Sequence, residues 1–156
     1  MKGSVVPAGS LEISHTPISR EDVPNELIEP LQQRRYSYVR FYRSDLVNKT
    51  DRPLRVVWFD GFLRLEGRWW ASNVKERVLR TKDFVEWYGG DMDADGWIRP
   101  GGIASCRVNW HATETADDIS IRWAYVAVDA YGNDYFAEAL VPDIVPVQLM
   151  PDIAPA

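Results

Sequence analysis

Ile119-Ser120-Ile121-Arg122-Trp123-Ala124-Tyr125-Val126-Ala127-Val128 runs into Asp129-Ala130-Tyr131-Gly132-Asn133-Asp134, and Tyr135 to Val141 follows. The first run is apolar on both sides apart from Ser120 and Arg122, as a strand at the centre of a sheet must be. The middle piece is turn chemistry, because Asp and Asn bond back to nearby backbone. The third run then returns as a hairpin partner. Upstream, Ile103 to Trp110 alternates, which places Ala104, Cys106, Val108 and Trp110 on one face and Ser105, Arg107 and Asn109 on the other.

The same period of two extends towards the N-terminus. Val39 and Phe41 oppose Arg40 and Tyr42. Asn48-Lys49-Thr50-Asp51-Arg52-Pro53 reads as a turn, and Leu54 to Phe59 as a strand closed by Asp60-Gly61, with Leu63 to Trp70 returning beside it. Between Val74 and Tyr88 the pattern fits helix or strand, with helix favoured over Asp83–Tyr88. Short strands at this spacing predict a mainly β fold, a β-sandwich or small barrel over residues 36–141.

The two ends differ from this middle. Residues 1–18 are punctuated by Gly, Ser and Pro, with one alternating piece at Leu11-Glu12-Ile13, and read as an extended arm. Residues 19–35 read as a short helical segment: Ser19 to Asp22 fits a capping box, Leu27, Ile28 and Leu31 share a side, and Pro30 limits the length. Residues 142–156 contain four prolines, which forbid helix and central strand and leave an extended apolar tail.

Composition narrows the classes. The chain is 46% apolar and 26% charged, enough to build a core in one domain of 156 residues. No apolar run is long enough to span a bilayer as a helix, and the first residues make a poor signal peptide. The default expectation for localisation is therefore cytoplasm or a virion or complex, with the envelope as the alternative. Cys106 is the only cysteine, which excludes an internal disulfide framework and a Cys-based zinc cluster. Net charge is −5, yet residues 34–82 carry +8 and residues 83–156 carry −10, a division that suggests pairing between strands or with a neighbouring copy. Arginines interleaved with Tyr36, Tyr38 and Tyr42 are raw material for a nucleic-acid surface, but the acidic whole disfavours that partner.

Few residues offer catalytic chemistry. His15 lies in the arm, and His111 shares the parity of Arg107 and Asn109, which aims it at solvent. In a regular strand Cys106 and His111 point apart, arguing against a Cys nucleophile. No nucleophile elbow is present, and acidic pairs such as Glu86 with Asp91 read as surface carboxylates. Asp91-Met92-Asp93-Ala94-Asp95-Gly96 resembles the first half of a calcium loop, with Asp91, Asp93 and Asp95 as ligands, but its closing ligand position is Gly102. Calcium is the single cofactor these residues suggest. Of the seven tryptophans, Trp58, Trp110 and Trp123 fall on core parity, whereas one of Trp69-Trp70 must face outward and can anchor a protein or stack on a sugar. Asn48-Lys49-Thr50 is also a formal glycosylation sequon.

Val47-Asn48-Lys49-Thr50, Leu54-Arg55-Val56-Val57-Trp58-Phe59-Asp60 and Arg99-Pro100-Gly101-Gly102 together resemble small immunoglobulin-like sandwich modules of bacterial envelope proteins over roughly residues 38–141. The resemblance implies an immunoglobulin-like antiparallel β-sandwich with a short N-terminal helix and extended arms, and binding over catalysis. The expected function is a non-catalytic structural subunit of a larger protein assembly. Its partners would be copies of itself or other proteins, reached through the arms and Trp69, Trp70, Ile144, Val147, Leu149 and Ile153. The alternative is a carbohydrate-binding module, supported by calcium at Asp91, Asp93 and Asp95.

Overall fold

A computed structural model of the chain describes residues 9–117 and 119–149. Along them run β1 (Leu11–Pro17), α1 (Asn25–Gln33), β2 (Tyr38–Asn48), β3 (Leu54–Leu65), β4 (Arg68–Ala71), β5 (Leu79–Arg80), α2 (Thr81–Trp87), β6 (Gly89–Gly90), β7 (Trp97–Ile98), β8 (Ile103–Thr113), β9 (Ser120–Val128), β10 (Asp134–Leu140) and β11 (Val147–Gln148). All strand pairs are antiparallel. Sheet A has the order β1-β2-β8-β6, with β11 also on β2; sheet B has the order β10-β9-β3-β4, with β5 and β7 also on β3. The fold is mainly β, built of two antiparallel sheets and two helices. Among the described residues no helix is long and apolar enough to cross a membrane.

The core lies between the sheets. Tyr42 and Leu46 of β2 and Ala104 of β8 join Val56 and Phe59 of β3 and Ile121, Trp123 and Tyr125 of β9 in one buried cluster. Phe59 is its hub. It stacks on Tyr125 with centroids 5.7 Å apart and meets Phe84, Trp87 and Tyr88 edge-on at 5.6, 5.7 and 6.0 Å. The last three belong to α2 and its end, so this helix plugs the core as the chain crosses from β5 in sheet B to β6 in sheet A. Burying a side chain of this size contributes roughly 1.5–3 kcal/mol. On the opposite face of β2, Val39 and Phe41 pack with Ile28 and Leu31 of α1, which makes α1 a third layer over sheet A.

The free edge of β2 is tiled end to end by the two ends of the chain. β1 pairs with Tyr42 to Asn48, and β11 pairs with Tyr38 and Val39. Ile18 N–H donates to Phe41 O (3.1 Å) and Leu149 N–H to Ser37 O (2.9 Å). Leu11 to Pro17 is therefore an edge strand of the chain's own sheet, and Val147, Leu149 and Ile144 pack on the chain's own clusters. Ile153 lies outside the described residues.

Several local expectations are corrected. Asp60-Gly61 does not end a strand: β3 continues through it, and the hairpin turn is Glu66-Gly67, with φ of 53° and 78°. The Asp60 carboxylate stays buried because Gly61 N–H (2.8 Å) and the Asn73 side-chain amide (2.7 Å) donate to it. The Ser19 hydroxyl donates to Asp22 Oδ2 (3.0 Å) and holds a 3-10 turn at Arg20–Asp22, while α1 begins later, after Pro24. Pro30 sits inside α1, which ends three residues later at Gln33, so the helix is short as its sequence leads one to expect.

Asn48 joins distant turns. Its side chain donates to the carbonyls of Arg52 (2.7 Å) and Ile98 (3.0 Å) and accepts from Thr50 N–H (3.0 Å). Its backbone bonds both Gly101 and Gly102. The amide of this formal sequon is thus fully buried and spent on the chain's own turns.

Candidate functional site

Two β-bulges decide what faces inward. Pairing of β2 with β8 shifts between Tyr42↔Asn109 and Ser44↔Cys106, so β8 holds one extra residue there. An extra residue in a ladder reverses the parity of everything beyond it. Cys106, Asn109 and His111 therefore all turn inward, and Trp110 turns to the face covered by α1. The second bulge, between Val56 and Trp58 of β3, turns Trp58 outward as Phe59 enters the core. Of the three tryptophans expected in the core on parity, Trp123 alone lies in the cluster between the sheets.

His111, expected at the surface, is buried within a directed relay. Its Nε2 faces the carbonyl of Ser72 (2.9 Å), an acceptor, so Nε2 carries the proton. Nδ1 then accepts from the Tyr42 hydroxyl (2.8 Å), which itself accepts from Trp123 Nε1–H (2.6 Å). Gly61 makes room for this: a Cβ there would lie 2.9 Å from both His111 Cε1 and Ser72 O. His15 is buried too, with Nδ1 at 2.8 Å from Ser44 Oγ, which also accepts from Asn109 Nδ2 (3.1 Å). Burial lowers both imidazoles to about 4; Arg40 adds to this at His111, and His111 adds to it at His15.

In front of the relay lies a cleft of about 360 Å³, within the usual range for small-molecule sites. β6 covers β8 at Ala104 and Ser105, and among the described residues no strand pairs with the same edge further along. The cleft follows this open edge, with Tyr36, Trp87 and Trp110 as half-buried aromatic walls and Asn73, Asn109 and His111 among the polar groups. Two edge groups are capped locally: Trp110 N–H donates to Asn109 Oδ1 (2.9 Å), and Val108 N–H bonds the Cys106 thiol.

The two reactive side chains at the cleft are held in unreactive states. Burial pushes the Cys106 thiol up to about 12, so the thiolate that a nucleophile needs does not form near neutrality. His111 spends both ring nitrogens on its neighbours and stays neutral. Neither supplies an activated nucleophile or a base poised near neutral pH. The sequence argument that Cys106 and His111 point apart assumed a regular strand; the bulge brings both to the cleft.

The other residues singled out from sequence lie elsewhere. Asp91 binds Arg99 (2.7 Å) and accepts from Ile103 N–H (3.0 Å), while Asp93 Oδ1 accepts from the amides of Asp95 (2.9 Å) and Trp97 (3.0 Å). These carboxylates hold their own loop, and among the described residues no cluster of three or more His, Cys, Asp or Glu is placed to hold a metal. Trp69 lies under the Arg122 guanidinium (4.6 Å), and Trp70 is 53% exposed on β4. None of Asp91, Asp93, Asp95, Trp69 or Trp70 lines the cleft.

No family model matches the chain, and no curated protein does. Among solved structures, the chain is similar to a Bordetella pertussis protein provisionally named ApaA, with 19% identity and a TM-score of 0.48 over 84% of this chain and 91% of that one. It is also similar to a structural-genomics target called SoR45, at 13% identity and a TM-score of 0.42 over 91% and 86%. Likeness at this level says nothing of activity.

Proposed function

We propose that the chain is a non-catalytic structural subunit of a larger protein assembly, an immunoglobulin-like sandwich that docks on a second copy of itself. The observation that carries this is the edge of sheet B. β10 ends the strand order; β1 of sheet A runs close beside it, Leu11 and Ile13 sharing the core with Tyr135 and Ala137, but among the described residues no strand forms a hydrogen-bonded ladder with its outer side. Its register with β9 is continuous and it contains no proline, lysine or bulge; of its two charged residues Asp134 stands at its start and Glu138 pairs with Arg122 of β9 (3.6 Å). Phe136 and Leu140 on it are 58% and 60% exposed.

Antiparallel pairing of β10 with its own copy would give an isologous, twofold contact and continue the sheet across it. β10 takes the docking role expected of the arms because the described parts of both arms are committed to the chain's own sheet. The immunoglobulin-like reading is supported by Asn48, which ties together the two turn motifs that carry the resemblance. The quiet chemistry of Cys106 and His111 supports a role without catalysis.

Amide hydrogen exchange of residues 134–140 across a dilution series tests the reading. The alternate amides that point away from β9 should exchange slowly at high concentration and faster on dilution, and fast throughout in Phe136→Lys/Leu140→Lys, while the amides bonded to β9 stay protected in every case. Exchange of the outward-pointing amides that is indifferent to concentration would overturn it.

A further inference from the structure

We infer that the cleft along the open edge of β8 is a binding site for a neutral saccharide. Its walls contain no charged side chain, in a chain of which 26% of residues are charged. His111 is held neutral by the relay behind it. Lys75 lies near Trp87 (6.0 Å) but is paired with Asp83 (3.0 Å) and Glu86 (3.4 Å), so it brings no uncompensated charge. An anionic ligand would require an arginine or lysine here, and a cationic one a carboxylate; neither group lines the cleft.

The remaining polar capacity is mixed. An asparagine side chain has two donor hydrogens and two acceptor lone pairs. Asn109 spends one donor on Ser44 and one lone pair on Trp110 N–H, leaving one of each. Asn73 gives its donors to Asp60 (2.7 Å) and the carbonyl of Arg77 (2.8 Å) and accepts from Lys75 N–H (2.9 Å), leaving one lone pair. A ligand that both donates and accepts at several points matches this set. A wholly apolar ligand would leave this remaining capacity unpaired. Tyr36, Trp87 and Trp110 supply aromatic surface for the C–H faces of a pyranose ring, while its hydroxyls meet the amides. This site is distinct from the edge of β10 and from Trp69 and Trp70.

The test is an array of neutral and acidic glycans probed with the full chain, followed by titration of the strongest binder with tryptophan emission as readout. A neutral glycan should bind saturably. Val74→Arg should weaken it by about tenfold or more, because Val74 lines the cleft and is 38% exposed, so an arginine there obstructs the site without entering the core. Tyr36→Ala should act in the same direction, and Trp70→Ala should leave affinity unchanged, each in a protein that melts as a folded domain. The inference is overturned if no neutral glycan binds, if acidic glycans or the apolar dye ANS alone bind, if Val74→Arg and Tyr36→Ala bind as the parent does, or if Trp70→Ala abolishes binding.

Discussion

Replacing Tyr42 with phenylalanine removes one oxygen from the middle of the buried relay and leaves every ring where it was. Two groups lose their partner at once: the Trp123 indole N–H, now without an acceptor, and His111 Nδ1, now without a donor. Tyr42, Trp123 and His111 are all buried, so water does not substitute freely. An orphaned buried polar group costs about 1–3 kcal/mol, so the pair should cost about 3 kcal/mol or more. In a domain of this size each kcal/mol lowers the melting temperature by roughly 2–4 °C, giving a loss of about 6–12 °C. Urea denaturation with an unchanged m-value is the assay. Tyr125→Phe is the control, because the Tyr125 hydroxyl bonds the Tyr88 hydroxyl and its removal affects that one partner. If Tyr42→Phe costs less than about 1 kcal/mol, or no more than Tyr125→Phe, the relay does not hold the core as described. Adding Trp123→Phe to Tyr42→Phe should cost less than the two changes separately, since the second removes a group the first had already orphaned.

Stability should fall as pH drops from about 6.5 to about 4. His15 and His111 stay neutral in the fold down to about 4, whereas the unfolded chain protonates them near 6.5 and so binds more protons in that window. The loss has an upper bound of roughly 3 kcal/mol per histidine; urea midpoints that stay flat between pH 7 and pH 4.5 would contradict the burial of both rings. Cys106 should resist a thiol reagent such as DTNB in the folded protein at neutral pH and react once unfolded, because its thiol is buried and pushed up to about 12; rapid labelling of native protein would count against that environment. Gly61→Ala should destabilise by about 1–3 kcal/mol, since its Cβ would press within 3.0 Å of Ser72 O and two rings. A neutral outcome in thermal melts would mean the relay can move aside.

How much of this was legible in the sequence depends on the element. The runs through Ile121 and Tyr125, and the return through Tyr135 and Ala137, read correctly because a strand buried on both faces and its hairpin partner write their pattern locally. The helix over Asp83 to Tyr88 was marked by a local period, and its observed span is Thr81–Trp87. The site was not legible, for a physical reason. A bulge is one extra residue in one ladder with no reserved side chain, so parity beyond it cannot be read from alternation alone. Simple alternation therefore aims His111 and Asn109 outward and puts Trp110 between the sheets. The buried Asp60 and the close approach at Gly61 looked like a turn because Asp-Gly usually is one. Leu11 and Ile13 carried the right alternation for a strand, but an edge strand needs a partner from elsewhere in the chain, and Leu46 and Asn48 were not identifiable as that partner.

Sedimentation velocity of the 156-residue chain across a concentration series tests the central claim most directly. Assembly through β10 predicts a species heavier than the 17.9 kDa monomer that shifts to the monomer on dilution, and a monomer at every concentration for Phe136→Lys/Leu140→Lys. A single 17.9 kDa species for the unmodified chain at all concentrations would contradict it.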